Sequence, residues 1–129
     1  MKARILLIED NLQNRYLARF LLEQRGHEVF QAETGPMGLQ LAAEVRPDLI
    51  LLDIQLPGMD GHDLAGTLKR DPQLKSIPIV AVTSYAMAGD REKCLAAGAE
   101  GYIEKPINPE TFVAEVERFL NSPREEPTP

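Results

Sequence analysis

At 129 residues and 43% apolar content, the chain has the size of one domain and enough apolar material to bury a core on both faces of a sheet. Its 14 basic against 20 acidic residues leave a net charge of −6, which repels phosphate backbones and argues against direct nucleic-acid binding. A lone cysteine, Cys94, excludes an internal disulfide and suits a reducing cytoplasm, while the four apolar residues that follow the opening Met-Lys-Ala-Arg are too few for a secretory leader and no apolar run approaches the length of a membrane span.

The first element is a strand, Ile5-Leu6-Leu7-Ile8, followed by Leu12, Tyr16 and Phe20, with Leu17 and Leu21, at the spacing of a helix that Gly26 closes. A strand at Val29-Phe30 leads to a second helix from about Pro36, with Met37, Leu41 and Val45 on one face, which Pro47 ends. Leu49-Ile50-Leu51-Leu52 is the third strand, and a helix carrying Leu64 and Leu68 follows Gly61. Ile79-Val80-Ala81-Val82 is the fourth strand; the helix after it, around Asp90 to Ala97, is the least amphipathic and is expected to pack most weakly. Tyr102-Ile103 is the fifth strand. The last helix has Asn108 as N-cap, Pro109 at its first position and one apolar stripe of Phe112, Val113, Val116, Phe119 and Leu120. Three of the strands are continuously apolar, as parallel strands covered by helices on both faces must be. Five strands alternating with five helices predict a doubly wound α/β sheet over residues 1–121, and the polar, proline-rich stretch 122–129 reads as a disordered tail.

Ligands of such a sheet bind beyond the carboxyl ends of its strands. The residues there are polar: Glu9 and Asp10 after the first strand, Asp53 at the end of the third, Thr83 and Ser84 at the end of the fourth, and Glu104-Lys105-Pro106 after the fifth. Three carboxylates at one edge repel one another unless a cation neutralises them. An all-oxygen ligand set without paired His or Cys favours Mg²⁺ over zinc. Lys105 is a point charge suited to an anion beside that metal, and Thr83 can donate a hydrogen bond to it. An aspartate next to Mg²⁺ can attack phosphorus to give an acyl phosphate, which makes Asp53 the expected nucleophile.

The segments Ile8-Glu9-Asp10-Asn11, Leu51-Leu52-Asp53-Ile54-Gln55-Leu56-Pro57-Gly58-Met59-Asp60-Gly61, Val82-Thr83 and Gly101-Tyr102-Ile103-Glu104-Lys105-Pro106, in that order, resemble the receiver domains of two-component response regulators. The resemblance runs from Arg4 to about Leu120. It implies the flavodoxin-like strand order 2-1-3-4-5 seen in chemotaxis regulators, and Mg²⁺ held by Glu9, Asp10, Asp53 and the main-chain carbonyl of Gln55. It further implies Asp53 as phosphoacceptor, Lys105 on the phosphoryl group, a cis bond before Pro106, and Thr83 with Tyr102 as a switch pair. Ser84 departs from the alanine more usual beside the switch threonine, and Gln55 and Tyr85 are similar in place to residues that set phosphoryl lifetime. Asn11, Asn14 and the loop from Asp53 to Gly61 are similar to single-domain regulators of cell division and polarity.

Structural alternatives stand beside these roles. Asp10 and Asn11 suit a helix cap, Lys105 a surface loop, Thr83 an ordinary strand position and Tyr102 core packing. His27 and His62 read as surface residues, and Met59, Met87 and Cys94 as packing or loop residues. The expected function is a single-domain bacterial response regulator, fed by a histidine kinase or histidine phosphotransfer protein. Its output is expected to be a protein partner bound at the fourth helix, fifth strand and fifth helix, with no turnover of external substrates. A phosphohydrolase would need a carboxylate where Gln55 stands, and a flavin or nucleotide binder would need a phosphate-cradling loop in place of the acidic Glu9-Asp10. A phosphate-independent adaptor is the remaining alternative.

Overall fold

The computed structural model describes residues 2–56, 58–84 and 88–121; Pro57, Tyr85, Met87 and the tail 122–129 lie outside them. Among the described residues the strands are β1 (Arg4–Ile8), β2 (Glu28–Ala32), β3 (Leu49–Asp53), β4 (Ile79–Thr83) and β5 (Gly101–Glu104). They alternate with helices α1 (Leu12–Gln24), α2 (Gly35–Val45), α3 (Gly61–Arg70), α4 (Ala88–Ala96) and α5 (Phe112–Asn121). Every strand pairing is parallel and the order is β2-β1-β3-β4-β5, the doubly wound arrangement expected from the alternation of elements.

The continuous apolar runs are explained by two cores, one on each face of the sheet. Leu6, Ile8, Ile50, Leu52 and Ala81 point to the side covered by α2, α3 and α4, where they meet Ala42, Leu64, Leu68 and Cys94. Ile5, Leu7, Leu49, Leu51, Val80 and Val82 point to the other, against Ala18 and Leu22 of α1 and Phe112 and Val116 of α5. Alternate residues of one strand thus go to opposite cores, and no position in the three central strands is free to be polar until the strand ends.

Helix starts follow side-chain caps. Asn11 accepts from Asn14 N at 2.9 Å, Thr34 from Met37 N at 3.3 Å and Asp60 from His62 N at 2.8 Å, each satisfying an amide that the first turn leaves unpaired. The last helix differs from its predicted start at Pro109. Asn108 caps as expected, its Oδ1 accepting from Glu110 N at 3.0 Å. The amides of Thr111 and Phe112 then both bond the Asn108 carbonyl, at 3.1 and 2.9 Å, so a tight turn precedes regular helix at Phe112. Gly61 permits the close approach of α3 to the sheet: a Cβ there would lie 2.5 Å from Ile54 Cα, and its amide donates to Ile54 O at 3.1 Å.

One surface expectation is corrected, that for His27, and the spacing in α1 did not fix which of its faces is buried. In α1 the buried residues are Arg15, Ala18 and Leu22, whereas Leu12, Tyr16 and Phe20 are 70%, 66% and 46% exposed. The helix therefore turns its aromatic stripe outward and its smaller residues inward, because Ala18 and Leu22 are what fit between α5 and the sheet. His27 is buried, with Nδ1 accepting from Ala3 N at 3.0 Å and Nε2 2.8 Å from Glu117 on α5. The ring joins the start of β1 to the last helix, and both of its nitrogens are satisfied by partners far away in sequence.

Candidate functional site

At the carboxyl edge of the sheet, hydrogen bonding continues past the strand ends. Glu9 N donates to Ala32 O at 3.0 Å, Ile54 N to Val82 O at 3.2 Å and Lys105 N to Thr83 O at 2.8 Å. These bonds fix the first residue of each loop as firmly as a strand residue, so side chains there are held before any ligand arrives. Glu9 and Asp53 are each 3% exposed and Thr83 is 1% exposed, while Asp10 stands in solvent.

The buried charges are paired. Lys105 Nζ lies 2.9 Å from Glu9 Oε1 and 3.2 Å from Asp53 Oδ2. Asp53 Oδ1 accepts from Gln55 N at 2.9 Å, which folds the Gln55 backbone toward the site, and Glu9 Oε2 accepts from Asn11 N at 3.1 Å. The Lys105-Pro106 peptide bond is cis. Burial, and then the neighbouring Asp53, push the Glu9 carboxyl up to about 7, against the opposing pull of Lys105 and the Asn11 amide. Burial alone would lower the Lys105 ammonium, but Glu9 and Asp53 outweigh it and hold it above the ordinary lysine range. One ammonium cannot balance what gathers here, since oxygens of Glu9, Asp10 and Asp53 all lie within 4.8 Å of one another. At an effective dielectric of about 20, two unit charges at that spacing repel by about 3 kcal/mol. The set consists only of oxygen donors, two buried and one open to water, which fits a hard divalent cation that keeps several waters.

The structure brings together Glu9, Asp10, Asp53, Lys105 and the Gln55 backbone, with Thr83 buried at the adjoining strand end. Tyr102 is set apart: its ring is half-buried on β5, its hydroxyl donates to the exposed Glu104 Oε1 at 3.2 Å, and the Arg91 guanidinium lies over the ring, 5.7 Å from its centroid. Partial burial and Glu104 raise its phenol above the ordinary value. Ser84 is exposed at the mouth. The two readings of Asp10-Asn11 divide between neighbours, for Asn11 caps α1 and Asp10 is left to face the site.

Sequence reasoning missed Arg15. Its guanidinium is buried in α1 and donates to the carbonyls of Glu9 at 3.1 Å and Asp10 at 3.3 Å, with Glu33 at 3.3 Å on its other side. The available signal was its place three residues before Ala18 and seven before Leu22, on the inward face of a helix where an unpartnered charge would be costly.

Comparison with known proteins agrees with this geometry. The profile of the response regulator receiver domain matches residues 5–117. The chain is 42% identical over 120 residues to the polar-differentiation response regulator DivK of Brucella anthropi, covering 93% of this chain and 98% of that one. Among solved structures it is similar to the chemotaxis response regulator CheY4 of Vibrio cholerae, with a TM-score of 0.86 and 30% identity over 92% of this chain and 98% of that one. It is also similar to the receiver domain of the sensor histidine kinase PA1611 of Pseudomonas aeruginosa, solved with a magnesium ion coordinated in its active-site cleft. That likeness has a TM-score of 0.80 and 34% identity, over 93% of this chain and 95% of that one.

Proposed function

The chain belongs to the response regulator receiver domain family of two-component signalling, and we propose that Asp53 is its phosphoacceptor, fed by a histidine kinase or histidine phosphotransfer protein. The observation that carries this reading is the placement of Lys105 between Glu9 and Asp53, at 2.9 and 3.2 Å, on the carboxyl edge of the sheet. Glu9, Asp10 and Asp53, with the Gln55 carbonyl, would hold Mg²⁺, which supplies charge neutralisation at the transferring phosphoryl group. An Asp53 carboxylate oxygen forms the bond to phosphorus while the bond from phosphorus to the donor imidazole breaks, and the leaving imidazole takes up a proton. Lys105 is already oriented toward Asp53 and would pair with the added phosphoryl oxygens, and buried Thr83 would donate its hydroxyl to them. Gln55 at the position two residues after Asp53 offers no carboxylate to activate water, which favours a phosphoacceptor over an enzyme that turns over external phosphoesters. Gln55, Ser84 and Tyr85 are assigned to setting the lifetime of the acyl phosphate.

Output would pass through α4, β5 and α5. A groove over β5 is lined by Arg91, Leu95, Tyr102 and Phe119, and β5 runs beside β4, with Tyr102 paired to Ala81 and Glu104 to Thr83. Inward movement of Thr83 would open space for the Tyr102 ring, and a protein partner would read the altered groove. The 42% identity to a polar-differentiation response regulator, over 98% of that relative's length, favours signalling of that kind. Among the described residues no helix is long and apolar enough to cross a membrane, and Cys94, buried and in no disulfide, accords with a reducing compartment such as the cytoplasm.

The test is intact mass after incubation with Mg²⁺ and a small-molecule phosphodonor, beside Asp53→Asn and a metal-free control. One added phosphoryl group in the metal-containing wild type alone establishes the site. A folded wild type that gains no mass in any condition overturns the assignment.

A further inference from the structure

We propose that Arg15 is a positioning residue for the metal site, setting the aim of the Asp10 carboxylate by clamping the backbone that carries it. The inference rests on the Mg²⁺ reading above and extends it to a residue outside the ligand set.

Asp10 is the exposed member of the acidic cluster, so packing does not orient it. Its backbone lies just past what the sheet holds, since the ladder ends at Glu9 N and the helical bonds of α1 begin with Arg15 N donating to Asn11 O at 2.9 Å. The carbonyls of Glu9 and Asp10 fall in the gap between sheet and helix. Both are taken by one guanidinium nitrogen, Arg15 Nη1, at 3.1 and 3.3 Å. The other terminal nitrogen is turned to Glu33, at 3.3 Å, just after β2. The guanidinium thus ties the start of α1 to the loop following the neighbouring strand, and its rigid plane fixes the peptide between the two acidic residues.

Charge and position act in opposite directions here, which makes the inference decidable. A cation beside three carboxylates weakens Mg²⁺ binding by repulsion, so loss of Arg15 would tighten binding if its charge were what mattered. Loss of the clamp leaves two carbonyls without their donor and lets Asp10 swing, which weakens binding. Lysine keeps the charge but cannot offer the planar fork.

The experiment is Mg²⁺ titration by calorimetry of the wild type, Arg15→Met, Arg15→Lys and Glu33→Gln, each checked for native circular dichroism. Phosphorylation rate is measured alongside, against Mg²⁺ concentration. Arg15→Met is expected to raise the dissociation constant about tenfold, in the range found when groups supporting a metal ligand are removed. Its phosphorylation rate should recover at saturating Mg²⁺. Arg15→Lys should weaken binding at least as much, and Glu33→Gln by less than about threefold, since both carbonyl bonds remain. Should Arg15→Met fail to fold, Arg15→Lys alone decides. Unchanged or tighter binding in the folded Arg15 variants, with Mg²⁺ bound normally by the wild type, overturns the role of Arg15. A wild type that binds no Mg²⁺ overturns the metal reading and this one with it.

Discussion

Lys105 Nζ stands 2.9 Å from Glu9 Oε1, so the ammonium occupies ground that a cation bound by the carboxylates would share. Removing it should have two effects of opposite sign. In Lys105→Met the carboxylates lose their only close ammonium among the described residues, and Mg²⁺ affinity should rise by about tenfold, roughly the value of one partly buried charge contact. Phosphorylation by a small-molecule donor should nonetheless fall by about 100-fold or more, the usual loss when a group stabilising transferred charge is deleted. Calorimetry and intact-mass kinetics on the same preparation read both. Loss of Mg²⁺ binding together with loss of rate would place Lys105 in the metal site instead.

Glu9 sets a pH dependence whose sign follows from its environment. Its folded value of about 7 lies above the ordinary 4.5, so between those limits the folded chain holds a proton that the unfolded chain has released. Without metal, stability is therefore fully present below about pH 4.5 and declines as pH rises toward about 7, by of order 3 kcal/mol. Mg²⁺ needs the ionised carboxylate, so its affinity should increase over the same interval, by up to about tenfold per pH unit. Urea unfolding in chelator and Mg²⁺ titration at pH 5.5 and 8 test this, with Glu9→Gln expected to remove both slopes. Equal slopes in wild type and Glu9→Gln would assign them to another group.

The fold was legible because the elements most exposed to physical constraint announce themselves. Ile50 and Leu52 face one core and Leu49 and Leu51 the other, and only a parallel strand covered on both faces reads as such a run. The acidic and basic residues of the site stood at strand ends for the same reason: the first polar position after a doubly buried strand is where the chain leaves the core. Helix faces were harder. Leu12, Tyr16 and Phe20 carry the strongest helical spacing in α1, yet burial goes to Arg15, Ala18 and Leu22. Hydropathy ranks an arginine as a surface residue, and its burial is favourable because two backbone carbonyls and the Glu33 carboxylate meet its guanidinium. His27 was misplaced for the same cause, since its partners, Ala3 and Glu117, are 24 and 90 positions away.

That buried histidine carries a stability prediction. His27 bridges Ala3 N and Glu117 Oε2 at 3.0 and 2.8 Å, and Arg25 reaches the same glutamate at 3.0 Å. His27→Ala leaves the buried Ala3 amide without its acceptor, takes one of the two partners of Glu117 and opens a void, so it should cost about 2 to 3 kcal/mol. For a domain of this size that lowers Tm by very roughly 6 to 15 °C. Phosphorylation at saturating Mg²⁺ should stay within about twofold of the wild type, because the ring lies at the opposite edge of the sheet from Asp53. Thermal unfolding beside intact-mass kinetics separates the two, and a large rate loss in folded protein would show that the amino edge is coupled to the site.

The outward stripe of α1 bears on how a protein donor reaches Asp53. Leu12 follows Asp10 by two residues, and Tyr16 and Phe20 continue its line along the helix, their rings stacked with centroids 6.2 Å apart. Three large apolar side chains keep 70%, 66% and 46% of their surface in water, and exposed patches of this kind mark interaction surfaces. A donor imidazole delivering to Asp53 would have to approach the carboxyl edge of the sheet, and the body carrying it would then cover the start of α1. Tyr16→Ser with Phe20→Ser should leave stability within about 0.5 kcal/mol, since both positions are largely exposed. Phosphorylation by a small-molecule donor should be unchanged, whereas transfer from an autophosphorylated kinase that serves the wild type should slow by about 30-fold or more, the loss typical of removing an aromatic anchor. Equal rates with both donors would move the docking surface elsewhere; equal losses with both would mean that the substitutions reach the site itself through α1.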